Sequence, residues 1–420
     1  MQTQLADFIR DTPKGKEADS ILRSCVHCGF CTATCPTYQL LGDELDGPRG
    51  RIYLIKSVLE GEQPSARTQQ HLDRCLSCRS CETTCPSGVN YHRLLDIGRE
   101  VVEEKVPRPL LDRLIRRSLL AIMPRRHLFT ALLRLGQTVC PLLPRRLKSK
   151  IPPRQRTGGI KPPGSHSRKV VMLEGCVQPG IAPATNIAAT RVLDALGISV
   201  ISTPGAGCCG ALRFHLNDQA GARADMKRNI DAWQRALSGG AEAVVSTASG
   251  CGAHLREYGT LLADDPTCAQ TAQRITDQTR DIAEILAAEE QTLTRLLAKV
   301  AKPSRPRRVA FHSPCTLQHG LGIRGLVERL LTAANYELVP VADSHLCCGS
   351  AGTYSLLQPV LSEQLRKNKL AALNAQQPEL IATANIGCQA HLQSGGETPV
   401  AHWIELIADA LGTEHNKESP

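Results

Sequence analysis

Two cysteine runs of identical spacing constrain this chain of 420 residues more than any other feature. The first run covers residues 25–36 and the second covers residues 75–86, fifty positions later, and both end in Cys-Pro. The chain has 18 cysteines, and its N-terminal residues are polar and mixed in charge, so we predict no secretory signal and a cytoplasmic location. Thiols in such number in the cytoplasm indicate bound metal rather than disulfides.

The spacing within each run is that of bacterial ferredoxins with two 4Fe–4S clusters. Three cysteines, each two residues apart, surround one cluster, and the fourth cysteine points to the other cluster. The predicted ligands of the first cluster are Cys25, Cys28, Cys31 and Cys85. The predicted ligands of the second cluster are Cys75, Cys78, Cys81 and Cys35.

Zinc is the alternative occupant of these runs, because it also binds four thiolates. Zinc sites, however, use cysteine pairs rather than triplets followed by Cys-Pro, which favours iron–sulfur clusters. His27 lies inside the first run, and we predict that it faces solvent because four cysteines already complete the site. Between the runs, Gly47-Pro48 is followed by a helical pattern, which resembles the α-helical ferredoxins of respiratory iron–sulfur subunits.

Residues 108–150 carry the whole excess of positive charge. The chain has 50 Lys and Arg against 40 Asp and Glu, and this segment holds eleven of the basic residues but a single acid, Asp112. Apolar residues recur there at three- and four-residue intervals, which predicts short amphipathic helices limited by Pro124, Pro141 and Pro144. Such helices suit the surface of an anionic membrane. The alternative is a connector packed on its own protein with a solvated basic face.

Two other partners are disfavoured by composition. No run of 18 apolar residues occurs, so we predict no transmembrane helix. Aromatic residues make up 3% of the chain, and no nucleic-acid motif accompanies the basic segment, so we predict no nucleic-acid partner.

A repeat follows residues 141–168, which are rich in Pro, Gly and basic residues and predict a linker with a domain boundary near residue 165. Beyond it, eight cysteines form two matching sets, offset by 137–139 residues, and each set contains Cys-Cys-Gly. We therefore call residues 169–300 the first CCG unit and residues 301–420 the second CCG unit. The first set is Cys176, Cys208, Cys209 and Cys251. The second set is Cys315, Cys347, Cys348 and Cys388.

These eight cysteines follow predicted strands that alternate with predicted helices, which indicates a parallel sheet in each unit. The carboxyl ends of parallel strands meet at one edge, where ligands bind. We therefore predict that the four thiols of each unit converge and hold a cluster or form a redox disulfide. The alternative is a set of small buried residues at tight turns. Cys140 and Cys268 fall outside every pattern and are predicted to be structural.

Residues 205–210 match a dinucleotide-binding fingerprint and follow a predicted strand. Asp225 lies at the expected distance, but within a helical pattern rather than at the end of a second strand. The matching segment of the second CCG unit lacks these glycines. We therefore predict no dinucleotide site and no flavin bound by this chain.

The predicted fold is an α+β multidomain chain. Residues 1–105 form an α-helical two-cluster ferredoxin domain, and residues 106–168 form basic amphipathic helices with a Pro-rich linker. Two pseudo-repeated α/β units with parallel sheets complete it at 169–300 and 301–420.

Two ferredoxin runs followed by two CCG units resemble the electron-transfer subunits of heterodisulfide reductases, anaerobic glycerol-3-phosphate dehydrogenases and lactate utilisation systems. The segments SCVHCGFCTATCPTYQLLGDELDGPRGRIYLIK and DSHLCCGSAGTYSL are most similar to the family of glycolate oxidase iron–sulfur subunits. This resemblance implies that FAD-containing glycolate oxidase subunits convert glycolate to glyoxylate, while this chain passes electrons to the quinone pool. Peripheral contact with the cytoplasmic face of the inner membrane agrees with the basic helices. The chain itself then needs no catalytic acid or base.

The sequence departs from the wider family at one position in each unit. CCG units usually end in C-x-x-C, and the first position of that pair is Ala248 in one unit and Asn385 in the other. This difference argues against double clusters and leaves room for one additional cluster bound by four cysteines of one unit. Two alternatives stay open: the same role in a lactate or glycerol-3-phosphate dehydrogenase, and a thiol/disulfide reductase acting at the CCG cysteines.

Overall fold

The structure is a computed structural model that describes residues 1–142, 151–155, 164–301, 303 and 305–412. Its N-terminal part is a helical domain whose loops carry both cysteine runs, which confirms the predicted helical ferredoxin arrangement. Three of its helices begin with proline, at Pro13, Pro36 and Pro48, because the first turn of a helix needs no N–H donor there. The six helices are α1 (Pro13–Ser24), α2 (Pro36–Leu41), α3 (Pro48–Leu59), α4 (Ala66–Asp73), α5 (Ser80–Thr83) and α6 (Tyr91–Lys105).

Helices α3 and α6 form the centre of this domain and approach each other closely. A Cβ atom added to Gly98 on α6 would lie 2.5 Å from Ile55 Cγ1 on α3, so only glycine fits at this crossing. Fully buried Leu22, Leu59 and Leu94 pack around the contact. This packing holds the two cysteine-bearing loops against each other.

Two more helices, α7 (Leu110–Ile122) and α8 (Arg126–Val139), leave the domain and contain no buried residue. Pro124 lies in the break between them, as predicted from sequence. Arg108 Nη1 and Arg116 Nη2 contact Asp73 Oδ2 at 2.6 and 3.2 Å and fix the start of α7 to the ferredoxin domain. Residues 143–150 and 156–163 of the predicted basic segment and linker, including Pro144, lie outside the described residues.

The remaining described residues form two four-stranded parallel sheets of identical topology. In the first CCG unit the order is β2-β1-β3-β4, and in the second it is β6-β5-β7-β8, which confirms the repeat and the parallel strands. The first sheet comprises β1 (Arg168–Leu173), β2 (Ile198–Ile201), β3 (Val244–Ser246) and β4 (Thr279–Asp281). The second comprises β5 (Arg308–His312), β6 (Glu337–Val339), β7 (Leu380–Thr383) and β8 (Val400–His402). The edge strands β4 and β8 were not predicted, because Thr-Arg-Asp and Val-Ala-His form no apolar run.

Helices cover both faces of each sheet. Those of the first CCG unit are α9 (Gln178–Ile181), α10 (Pro183–Ala195), α11 (Ala211–His215), α12 (Gln219–Ser238), α13 (Ser249–Leu255), α14 (Tyr258–Leu261), α15 (Ala269–Gln278), α16 (Ile282–Ala288) and α17 (Glu290–Leu297). Those of the second are α18 (Leu326–Ala333), α19 (Tyr354–Leu357), α20 (Pro359–Asn374), α21 (Ile386–Gln393) and α22 (Trp403–Ala410), and a π-helical turn covers Thr316–Gly320. Asp225 lies within α12, as predicted, and pairs with Arg213 and Arg228.

The two CCG units share one hydrophobic core. Helix α10 of the first unit packs against α22 of the second, and apolar side chains of both sheets belong to a single buried cluster. His402 Nε2 lies 2.8 Å from the carbonyl oxygen of Thr247, and Thr185 Oγ1 donates to Glu405 Oε1 at 2.6 Å. The two CCG units therefore pack together as one globular unit.

The ferredoxin domain rests on both CCG units through its second cysteine run. Arg79 pairs with Glu257 of the first unit, and His92 Nε2 contacts the same carboxylate at 3.1 Å. Thr83 Oγ1 lies 2.9 Å from His319 Nδ1 of the second unit. The second run is thus the part of the domain that faces the repeat.

Candidate iron–sulfur and thiol sites

The first cavity of the ferredoxin domain gathers thiols from both cysteine runs. It has a volume of about 440 Å³, and its walls include three cysteines of the first run and the last cysteine of the second. These are Cys25, Cys28, Cys31 and Cys85, and the wall also includes Cys81. The four residues predicted to hold the first cluster therefore surround one space.

The second cavity has the reciprocal composition and a volume of about 370 Å³. Its walls include Cys75, Cys78, Cys81 and Cys35. Each cavity is thus lined by three cysteines of one run and by the last cysteine of the other. The donor set of four thiols around one space fits a 4Fe–4S cluster.

Backbone strain occurs at equivalent positions of the two runs. His27 and Ser77 adopt positive φ angles of 56° and 51°, and Gly29 and Arg79 adopt 85° and 60°. Left-handed conformations at non-glycine residues cost free energy and persist where the surrounding structure imposes them, often at functional sites. Here they turn each loop around its cavity, and the Ser77 N–H donates to Cys75 Sγ at 3.5 Å.

His27 departs from its predicted place on the solvent side. It is half-buried and forms part of the wall of the first cavity, and its Nε2 atom is buried without a hydrogen-bond partner in the described part of the chain. Burial and the nearby Arg49 lower the pKa of His27, so its imidazole is neutral beside the thiols. The left-handed turn of the loop, which the cysteine spacing does not reveal, directs the ring inward.

A fully buried guanidinium adjoins the second cavity. Arg51 Nε donates to the carbonyl oxygen of His71 at 2.7 Å, and its Nη2 donates to Thr37 Oγ1 at 3.2 Å. Burial acts to lower the pKa of Arg51, but Cys75 and other anionic neighbours raise it overall, so the charge is retained. This permanent positive charge faces the space that the second set of cysteines encloses.

The four cysteines of the first CCG unit converge at the carboxyl edge of its sheet, as predicted. Cys208 perturbs the pKa values of Cys176 and Cys209, and Cys251 perturbs those of Cys176 and Cys209, so the four thiols lie close together. The hydrogen bonds from Cys176 and Cys209 lower the pKa of Cys208. The Gly210 N–H also donates to Cys208 Sγ at 3.5 Å. Cys208 is thus the thiol of this unit most readily ionised.

The second CCG unit brings its four cysteines together in the same way. Cys315 Sγ lies 3.9 Å from Cys347 Sγ, and side-chain hydrogen bonds continue from Cys347 to Cys348 and from Cys348 to Cys388. His312, the last residue of β5, joins this group: its ring and the Sγ atoms of Cys348 and Cys388 offer three donor atoms within 4.8 Å of one another.

The two cysteines outside the patterns lie away from these sites. Cys140 is half-buried and begins a 3₁₀ turn after α8, and Cys268 is the N-cap residue of α15. Both remain predicted structural residues.

Comparisons with known proteins agree with this arrangement. The protein-family model of the 4Fe–4S dicluster domain matches residues 21–89. The family model of the cysteine-rich domain matches residues 170–256 and 309–393. The chain is 54% identical to the glycolate oxidase iron-sulfur subunit of Escherichia coli (strain K12) over 99% of this chain and all of that protein. It is 30% identical to the probable glycolate oxidase iron-sulfur subunit of Bacillus subtilis (strain 168) over 96% of this chain and 97% of that one.

The chain belongs to the family of glycolate oxidase iron–sulfur subunits. A more distant relative is the lactate utilization protein A of Bacillus velezensis, which is 28% identical over 52% of this chain and 88% of that protein. The family resemblance expected from sequence is thereby confirmed, together with its class as part of an oxidoreductase.

Sequence reasoning missed three side chains that shape the sites of this family member. Arg51 and Glu257 carry no motif, since their roles depend on which helices pack against the second cysteine run. His312 could have been found, because it ends a buried apolar strand at a position where the first CCG unit has Leu173. Comparison of the two repeats residue by residue exposes this difference.

Proposed function

We propose that this chain is the electron-transfer subunit of a glycolate-oxidising flavoenzyme complex. FAD-containing subunits oxidise glycolate to glyoxylate, and this chain carries the electrons onward to the quinone pool. The observation that carries the proposal is the pair of cavities, each lined by three cysteines of one run and the last cysteine of the other. Iron–sulfur clusters bound there would accept the electrons of a reduced flavin one at a time.

In this proposal Cys25, Cys28, Cys31 and Cys85 hold the first cluster, and Cys75, Cys78, Cys81 and Cys35 hold the second. The residues of the chain bind, enclose and tune these groups. Arg51 supplies a fixed positive charge at the second site, and burial of Cys78 and Cys81 excludes water from it. The glycolate-specific chemistry rests with the flavoprotein.

One further cluster is proposed for the CCG region, held by the four cysteines of one unit. The convergence of these thiols supports it, since four sulfur donors gather at one sheet edge. The competing candidate, a thiol/disulfide reductase, is favoured by the lowered pKa of Cys208, because a thiolate is the reactive form. A reductase would lose disulfide reduction on Cys348→Ser or Cys208→Ser while the ferredoxin centres stayed intact.

We further propose that α7 and α8 contact an anionic membrane surface from the cytoplasmic side. Leu110, Leu111 and Leu114 on α7 are 58–70% exposed, and Leu135 on α8 is 61% exposed. Basic residues of α7 accompany these leucines, so the surface combines apolar insertion with attraction to acidic headgroups. This location would bring the chain close to membrane quinone.

The decisive experiment is anaerobic affinity purification of the chain from its host, with the eluate assayed for glycolate-dependent reduction of a quinone analogue. Lactate and glycerol 3-phosphate serve as control substrates. Activity with glycolate and a co-purified flavoprotein supports the proposal. Activity with a control substrate alone would reassign the complex to that substrate while keeping the electron-transfer role.

A further inference from the structure

The second CCG unit differs from the first at the end of its first strand. His312 ends β5, whereas Leu173 ends β1 at the equivalent position of the repeat. The side chain of His312 is 2% exposed, and neither ring nitrogen has a hydrogen-bond partner among the described residues. A buried polar group without a hydrogen-bond partner costs about 1–3 kcal/mol. We therefore expect this ring to bind a group that is not part of the chain.

Two cysteine sulfurs lie near this imidazole. One ring nitrogen of His312 and the Sγ atoms of Cys348 and Cys388 all lie within 4.8 Å of one another. The ligands of a tetrahedral zinc ion, bound at about 2.0–2.3 Å, stand about 3.5 Å apart. The three side chains therefore need to close by only about an ångström to share one ion.

The thiols of this unit also lie close together, since Cys315 Sγ and Cys347 Sγ are 3.9 Å apart.

Asn385 does not supply the thiol that a cysteine would supply at its position. It occupies the position where CCG units usually carry the first cysteine of C-x-x-C, and its Oδ1 caps α21 by accepting from the Gly387 N–H at 3.4 Å. The second unit therefore replaces the absent thiol with an imidazole from β5. The first unit has Ala248 and Leu173 at the two corresponding positions, neither of which can bind a metal.

We propose that His312, Cys348 and Cys388 form a mononuclear site for a zinc-type divalent ion in the second CCG unit. Two thiolates and one neutral imidazole are a common donor set for Zn²⁺. Cys347, linked to Cys348 by a side-chain hydrogen bond, is the further donor available for the fourth position. The additional cluster of the proposed function then belongs to the first unit, whose four cysteines have no imidazole at the strand end.

The test uses the full chain, purified anaerobically and passed through a chelator before analysis. Zinc and iron per chain are measured by mass spectrometry, and the zinc ligands are identified by X-ray absorption at the zinc edge, which iron does not obscure. We expect about one zinc per chain with mixed sulfur and nitrogen ligands. His312→Ala should lower zinc at least tenfold and leave iron unchanged, in keeping with the loss of a ligand.

Two variants keep the test decisive if His312→Ala fails to fold. His312→Cys should retain zinc and replace the nitrogen ligand with sulfur. His391→Ala, a matched control in the same unit, should retain zinc with its nitrogen ligand, because His391 contacts Ser362 rather than the thiols. Zinc below about a tenth of an equivalent in the unmodified chain, an unchanged nitrogen ligand in His312→Cys, or loss of iron instead of zinc would overturn the proposal. None of these readouts depends on glycolate or on the flavoprotein.

Discussion

Cys78 of the second ferredoxin run and Cys347 of the second CCG unit lie in one buried cluster, together with Leu76, Tyr354 and Leu365. No other sulfur-bearing loop of the ferredoxin domain shares a buried cluster with the repeat in the described residues. The second cavity therefore adjoins the second CCG unit through this cluster. Electrostatic changes on either side of the cluster act on the other.

The crossed arrangement of the cysteine runs can be tested by paired substitutions. Cys25→Ala and Cys85→Ala should remove the same cluster, because both residues line the first cavity. Cys35→Ala and Cys75→Ala should remove the other. Low-temperature electron paramagnetic resonance of the reduced chain distinguishes the two signals. If Cys85→Ala matched Cys75→Ala instead, each run would hold its own cluster and the assignment would be wrong.

Loss of either cluster should also interrupt electron transfer. Cys28→Ser should abolish glycolate-dependent dye reduction through this chain while reduction of the partner flavin continues. Cys268→Ser is the matched control, because this half-buried cysteine lies outside both cavities. Unchanged dye reduction in Cys28→Ser would contradict the proposed route.

Arg51 should raise the reduction potential of the second cluster. Replacement by Met removes a buried positive charge and should lower the midpoint potential by on the order of 100 mV, since a positive charge favours the reduced state. Arg51→Lys keeps the charge and should shift the potential much less. Redox titration followed by paramagnetic resonance measures both. Equal shifts in the two variants would show that packing, not charge, sets the effect.

The contact between the ferredoxin domain and the first CCG unit should weaken in alkali. Burial opposes the charge of His92, but hydrogen bonds to Glu257 and Glu82 raise its pKa to about 9, with Arg79 and Asp96 also facing it. Because the pKa of the folded state exceeds the ordinary value of 6.5, the stabilisation is complete below pH 6.5 and is lost as pH rises through about 9.

This loss amounts to on the order of 2–3 kcal/mol, so the anaerobic melting temperature should fall by several degrees between these pH values. His92→Gln should flatten the dependence, because the titrating group is gone. An equally steep dependence in His92→Gln would assign the effect to another group.

Membrane contact should depend on the exposed leucines of α7. The double variant Leu111→Asp/Leu114→Asp should lose binding to vesicles of anionic lipid with little change in melting temperature, because both side chains are exposed. Val360→Asp on α20 is the matched control, since Val360 is 80% exposed on a different surface. Binding of the unmodified chain should weaken as salt rises, because exposed charges are screened over about 8 Å at physiological ionic strength. Equal binding to neutral and anionic vesicles would count against the proposed surface.

The close contact between α3 and α6 gives a stability prediction. Gly98→Ala should destabilise the ferredoxin domain by about 1–3 kcal/mol, because the added methyl group meets Ile55 on α3. Gly136→Ala on α8 is the counterpart: its nearest neighbour would be Ile151 Cδ1 at 3.8 Å, so the better helix former should be neutral or stabilising. Melting curves of the two variants decide the point, and a destabilised Gly136→Ala would show that the comparison fails.

The sequence predicted the parts of this molecule that repeat. Cysteine spacing predicted which thiols share a cavity, and the offset between the CCG units predicted two equivalent parallel sheets. It did not predict the inward turn of His27, since that depends on φ at the residue, nor the burial of Arg51, since that depends on how α3 packs. The short strands β4 and β8 depend on their neighbours β3 and β7 for pairing. Local sequence patterns therefore predicted the ligand residues. The electrostatic surroundings of those ligands depend on tertiary packing, which the local patterns do not specify.

The single core shared by the two CCG units has a consequence for the way the repeat unfolds. The cysteine pattern repeats in two units, but α10 of the first unit and α22 of the second pack against each other. Neither CCG unit would therefore bury its apolar surface without the other. A chain cleaved near residue 300 would yield two fragments with exposed apolar surface rather than two independently folded modules. Heating should therefore unfold the two CCG units in one cooperative transition. A substitution that destabilises one unit should also disturb the thiol site of the other.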